Sequence, residues 1–140
     1  MQMKKGFTIS ELVSVLALVA LVFVLLSPAI TLLHRRMLKE ECAENLREMG
    51  TALYIYAREH GGQFPEELQE LFGAKYLTDM DVLDCPASEH KGTLSDPDYF
   101  YTGGLSIKSP SKAPLLRDKE GNHSGGRKNI LNVNGEILFE

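Results

Sequence analysis

Phe7-Thr8-Ile9-Ser10-Glu11 followed by Leu12-Val13-Ser14-Val15-Leu16-Ala17-Leu18-Val19-Ala20-Leu21-Val22-Phe23-Val24-Leu25-Leu26 decides how the rest of the chain is read. No charged residue occurs from Leu12 to Leu33. As a helix rising ~1.5 Å per residue, the stretch from Phe7 to Leu33 spans about 40 Å, more than the ~30 Å hydrocarbon core of a bilayer. It reads as a transmembrane helix. Lys4 and Lys5 precede it, which predicts a cytoplasmic N-terminus, with everything after Leu33 outside the cytoplasm.

Working outward, the chain of 140 residues with net charge −4 fits one compact domain plus an appendage rather than two domains. Its Lys and Arg are scattered among Glu and Asp. A nucleic-acid partner is therefore not expected, because duplex binding needs clustered cations to neutralise phosphates.

Glu11 does not fit a plain anchor. A carboxylate inside an apolar helix costs roughly 2.5–3.5 kcal/mol on insertion scales, so it needs a partner, a function or an escape to the headgroup boundary. Pro28 is the second irregularity. Its ring removes a backbone hydrogen bond and clashes with the preceding turn, which predicts a kink or a helix that ends and restarts there.

Beyond the membrane, Leu38, Cys42, Leu46, Met49, Leu53 and Tyr56 recur at intervals of three or four, one apolar stripe of an amphipathic helix. Gly61-Gly62 and Pro65 predict its end. The segments are thus 1–6 before the apolar run, 7–33 as its transmembrane half, 34–61 as its amphipathic half, and 62–140 as a globular head. In the head, Phe64 to Phe72 reads as a short helix with Pro65 in its first turn, and Leu68, Leu71 and Phe72 as its buried face. Thr78 to Pro97 is loop-like. Asp98–Thr102 and Ala113–Arg117 have strand character. Asn129 to Val133, Asn134-Gly135 and Glu136 to Glu140 predict a hairpin with a two-residue turn, pairing Leu131 with Leu138 and Ile130 with Phe139. Both hairpin faces carry apolar residues, so neither is singled out as the one that meets the helix. The expected class is α+β, a long N-terminal helix packed on a small antiparallel sheet of three or four strands.

Gly6-Phe7-Thr8-Ile9-Ser10-Glu11, with Lys4-Lys5 before the Gly, resembles the cleavage and methylation motif of type IV pilins and type II secretion pseudopilins. Further along, Cys42 to Gly50, Tyr56-Ala57 and Gly61 to Pro65 resemble the stalk of secretion-type pseudopilins, and Leu83-Asp84-Cys85-Pro86 a Cys-Pro loop found in some. His123-Ser124-Gly125-Gly126, then Asn129-Ile130-Leu131 and Asn134-Gly135, resemble a C-terminal signature that more often ends in Asp-Gly. The resemblance implies a pilin-like fold and a structural subunit, a pseudopilin or minor pilin, of a type II secretion or type IV pilus-like filament involved in protein transport. It implies a leader, Met1 to Gly6, removed by a prepilin peptidase after Gly6, and methylation of Phe7. It further implies that Glu11 meets the amine of a neighbouring subunit during assembly. Expected partners are prepilin peptidase, like subunits, copies of itself and an inner-membrane assembly platform. The expected location is the bacterial inner membrane, single-pass, with the C-terminal domain periplasmic or extracellular.

If the head is exported, its compartment permits a disulfide. Cys42 lies on the apolar stripe and Cys85 in a loop long enough to reach it, leaving a Cys42–Cys85 bridge or two buried thiols. Asp118, Glu120, Asn122 and His123 share one loop, and the resemblance admits calcium there. The spacing does not match an EF-hand loop and His is a poor calcium ligand, so a solvated turn is the expectation, with no metal and no cofactor. His34, His60 and His90 lack zinc-type spacing. No nucleophile–base–orienter set or phosphate loop is present in the sequence, and an enzyme is not expected. Two alternatives are a single-pass membrane-anchored binding or sensor domain that never polymerises, and a secreted domain released after Ser27-Pro28-Ala29.

Overall fold

The computed structural model describes residues 8–123, 126 and 128–140. Met1 to Gly6 and Phe7, expected as leader and cleavage residues, lie outside them. The elements are α1 (Ile9–Glu59), α2 (Gln69–Gly73), a 3-10 turn (Asp81–Leu83), β1 (Tyr99–Tyr101), β2 (Pro114–Asp118), β3 (Asn129–Asn132) and β4 (Ile137–Phe139). The class is α+β. The chain divides into two units between Arg36 and Met37.

In the first unit, the residues of α1 are exposed from Ile9 onward, including large apolar side chains such as Leu18, Phe23 and Leu25. This part of the helix is long and apolar enough to cross a membrane. Pro28 sits within α1, which is helical on both sides of it, so the helix does not end and restart there. Pro28 lacks the N–H that would reach Val24, and the Ser27 hydroxyl donates to the Val24 carbonyl instead (3.2 Å). That bond offsets part of what the proline removes.

In the second unit, the remainder of α1 packs against the sheet. The buried stripe keeps Cys42, Leu46, Met49 and Leu53 and adds the small residues Ala43, Gly50, Ala52 and Ala57. Leu38 and Tyr56 are only half-buried. Fully burying each large side chain of the stripe contributes about 1.5–3 kcal/mol. Small residues let the sheet come close. A Cβ on Gly50 would stand 2.6 Å from Leu131 Cδ2. α1 ends in a Schellman turn, with Gly61 at φ +66° and the Gly62 N–H donating to the Ala57 carbonyl (2.7 Å).

The short helix begins later than the sequence suggests. The hydroxyl of Tyr101 donates to the Pro65 carbonyl (2.6 Å), taking the acceptor that a first helical turn at Pro65 would use. The Glu70 carboxylate instead accepts from the N–H groups of Glu66 and Glu67 (2.9 and 3.0 Å) and from the Tyr56 hydroxyl (2.9 Å). Hydrogen bonding, from Glu67 most strongly and then Tyr56, holds its carboxyl below the usual range.

The sheet has four strands, antiparallel throughout, in the order β1-β2-β3-β4. Asp118 opposes Tyr99, and Leu116 opposes both Tyr101 and Leu131. These residues share the inner face, with Asn129 and Val133, over α1. On the outer face the Arg117 guanidinium lies over the Phe100 ring, 4.8 Å from its centroid.

The hairpin register differs by one residue from the two-residue-turn expectation. Ile130 pairs with Leu138 and Leu131 with Ile137, not Leu131 with Leu138 or Ile130 with Phe139. The loop holds three residues, closed by the Asn132 N–H to the Glu136 carbonyl (3.0 Å) and the Gly135 N–H to the Asn132 carbonyl (2.9 Å). Gly135 takes φ +82°, while Asn134 stays at negative φ. The cause is Val133. It stays buried, donates to the Ala113 carbonyl (2.9 Å) and accepts from the Tyr54 hydroxyl, so it is held to its neighbours rather than paired across the turn.

Candidate functional site

Two places gather chemistry-bearing side chains, one in each unit. The first is the start of α1. Thr8 is its N-cap and Glu11 its third residue. The Thr8 N–H and hydroxyl both donate to Glu11 Oε2 (2.9 and 2.8 Å), and the Glu11 N–H points back at Thr8 Oγ1 (3.4 Å). This is a reciprocal capping box, satisfying donors that the first turn leaves without partners. The Thr-x-x-Glu spacing at Thr8 and Glu11 is the sequence signal for it, and it gives Glu11 a local role at the start of α1. Gly6 and Phe7 lie outside the described residues.

The second lies in the head. Cys42 and Cys85 are joined by a disulfide with their Cα atoms 5.2 Å apart. Around it runs a buried polar network. The Cys85 N–H donates to Asp98 Oδ2 (3.0 Å), and Asp98 Oδ1 meets His90 Nδ1 (2.9 Å). Asp118 is wholly buried. Its Oδ2 accepts from the Asn129 N–H (2.8 Å) and lies 2.7 Å from His123 Nε2. His123 Nε2 is also 3.9 Å from Cys85 Sγ. Asn45 Nδ2 donates to the Asp84 carbonyl (2.8 Å) and the Tyr99 hydroxyl (3.1 Å), and burial pushes the Tyr99 phenol well above its ordinary pKa. At the rim, His90 lies 3.4 Å from Asp96, whose carboxyl Lys119 holds below the usual range by hydrogen bonding and then by charge.

The acidic loop residues are committed elsewhere than to a shared cation. Asp118 faces His123 and Asn129, Asn122 Nδ2 donates to the Asp98 carbonyl (2.7 Å), and Glu120 pairs with Lys128 (2.8 Å). Among the described residues, one group of three His, Cys, Asp or Glu side chains brings its ligand atoms within 4.8 Å of one another: Cys42, Cys85 and His123. Sequence spacing did not reveal it. Cys42 and Cys85 stand 43 positions apart, and Cys85 and His123 stand 38 apart. No family model, curated protein or solved structure matches this chain.

Proposed function

We propose that this chain is a structural subunit of a type II secretion or type IV pilus-like filament, a pseudopilin or minor pilin, processed by a prepilin peptidase after Gly6 and assembled through its N-terminal helix. The observation that carries the reading is a carboxylate, Glu11, at the head of a helix whose next twenty-two residues are uncharged and exposed. Exposed apolar side chains on this scale need lipid or neighbouring helices. A filament supplies both in turn, lipid before assembly and neighbours after it. Cleavage after Gly6 creates a cationic amine on Phe7, methylated in this reading. An amine and a carboxylate left apart in an apolar medium are each costly, so pairing between subunits sets the register of an otherwise featureless bundle. The capping box is compatible with that role, because a carboxylate accepts several hydrogen bonds at once.

Two substitutions test the reading. Gly6→Val is expected to leave the full-length precursor, read as intact mass and N-terminal residue of the protein purified from its membrane. A normally processed Gly6→Val chain would sink the peptidase step, and a wild-type chain that keeps Met1 would indicate a plain anchor. Glu11→Val is expected to be cut yet assemble poorly, with filament yield down roughly tenfold or more, as a stranded charge worth upwards of 1.4 kcal/mol per contact implies. Glu11→Gln separates the two roles of this residue, since an amide preserves the capping box and removes the charge. Loss of assembly in Glu11→Gln assigns the requirement to the charge; wild-type assembly removes the charge pair from the mechanism.

A further inference from the structure

The head's disulfide has an unusual neighbour. Cys42 and Cys85 are buried, and His123, almost as buried, presents a ring nitrogen within 4.8 Å of both sulfurs, with Nε2 at 3.9 Å from Cys85 Sγ. Asp118 Oδ2 stands 2.7 Å from Nε2, and Asp118 Oδ1 is buried with no hydrogen-bond partner among the described residues. A buried carboxylate oxygen without a partner is costly, and it marks a place where a donor or a cation belongs.

We propose that reduction of the Cys42–Cys85 bridge converts this cluster into a zinc site, with Cys42, Cys85, His123 and Asp118 as its four ligands. Two thiolates, an imidazole and a carboxylate suit zinc rather than calcium or magnesium, and a closed four-ligand set is that of a structural site. One pair already stands near what zinc requires, while Asp118, 2.7 Å from His123 Nε2 but outside the three-residue group, has to swing towards the sulfurs to complete the set. With Zn–S ~2.3 Å and Zn–N ~2.0 Å, a tetrahedral site places S and N ~3.5 Å apart. Cys85 Sγ and His123 Nε2 are 3.9 Å apart. Tetrahedral zinc also needs the two sulfurs ~3.8 Å apart, which the intact bond forbids, so reduction has to come first.

The chemistry balances with a dithiol as reductant. The dithiol gives two electrons and two protons, the protein S–S bond breaks to two thiols, and the dithiol closes to its own disulfide. Zinc then displaces one proton from each thiol to solvent, and the proton that His123 Nε2 shares with Asp118 Oδ2 in the oxidised chain moves through solvent to Nδ1, which leaves Nε2 and the carboxylate free to ligate. The same two residues thereby tie α1 to the Cys85 loop covalently under oxidising conditions and through a metal under reducing ones.

The test uses the full chain in detergent, reduced with a water-soluble phosphine so that no added thiol competes for metal. Cobalt(II) is titrated as a probe, then displaced with zinc, and zinc per chain is counted by native mass spectrometry. The expected result is one tetrahedral, thiolate-bound cobalt with its charge-transfer band, one zinc per chain, and no binding by the oxidised chain. Asp118→Asn and His123→Ala are each expected to weaken zinc binding by more than the ~10-fold that loss of an outer-shell partner already costs, both checked for folding as the disulfide form by far-UV circular dichroism. A reduced chain that takes up no cobalt, gives only a weak octahedral spectrum, or binds equally well as His123→Ala would overturn the proposal. If the metal-free reduced chain unfolds, recovery of the native dichroism on adding zinc supports the site, and a chain that stays unfolded with zinc rejects it.

Discussion

A chain carrying Cys42→Ala and Cys85→Ala is expected to lose about 4 kcal/mol of head stability, because the bridge closes a loop across 43 positions and so removes conformations from the unfolded state. For a head of this size that is a fall in Tm on the order of 20 °C. The loss has a local component as well. The Cys85 N–H is the donor to Asp98 Oδ2, and Asp98 in turn holds His90 and, through its backbone, Asn122. Freed from α1, the Cys85 segment loosens that whole edge of the head. Thermal and urea unfolding of oxidised wild type against the alanine chain measures the effect. The urea m-value should rise, since the unfolded chain is no longer looped and exposes more surface. A Tm change of only a few degrees would mean that the fold holds the Cys85 loop without the bridge.

The second large effect concerns Gly92. A Cβ there would stand 1.9 Å from the Leu83 carbonyl oxygen, 2.6 Å from its carbon and 2.9 Å from Asp84 Cα. Those are backbone atoms and they are not free to retreat. The Leu83 carbonyl accepts from the Asp98 N–H (2.9 Å), the Asp84 carbonyl from Asn45 (2.8 Å), and Cys85 is tied to α1. Gly92 itself donates to Asp84 Oδ1 (2.9 Å). Gly92→Ala is therefore expected to cost about 3 kcal/mol through forced displacement of packed backbone. Gly73→Ala is the control. Nothing stands within 4 Å of its added Cβ, and its change should stay within about 0.5 kcal/mol. In the chain lacking the disulfide, Gly92→Ala should cost less, because the segment it pushes on can then move; strict additivity would contradict that coupling.

The buried charges near this loop show where sequence reading stops. Asp118 and His123 were legible as neighbours in one loop, and their acidic and imidazole chemistry suggested a solvated turn. In the structure Asp118 is a β2 residue on the inner face, opposite Tyr99, and His123 returns beneath it towards the disulfide. Alternation along the five-residue β2 places Asp118 on the same face as Leu116, but a sequence does not reveal which face the helix will cover. The same ambiguity hid the hairpin register. Asn134-Gly135 marks a turn, yet whether two or three residues lie in it depends on Val133, whose hydrogen bonds to Ala113 and Tyr54 come from segments 20 and 79 positions away.

What the sequence determined by itself is the part governed by neighbours along the chain. The uncharged run after Glu11, the three-and-four spacing from Cys42 to Leu53, and the Gly61-Gly62 stop are local patterns, and a helix reads only local patterns. Together with the strand signals at Asp98–Thr102 and Ala113–Arg117 and the Asn134-Gly135 turn, they led to the α+β class. Tertiary structure decided what depends on contacts between distant segments. It set which hairpin face lies on α1, the late start of α2 once Tyr101 takes the Pro65 carbonyl, and the meeting of Cys42, Cys85, His123 and Asp118. Such contacts rest on shape and register across the core, where a single residue's slip turns every side chain to the other face.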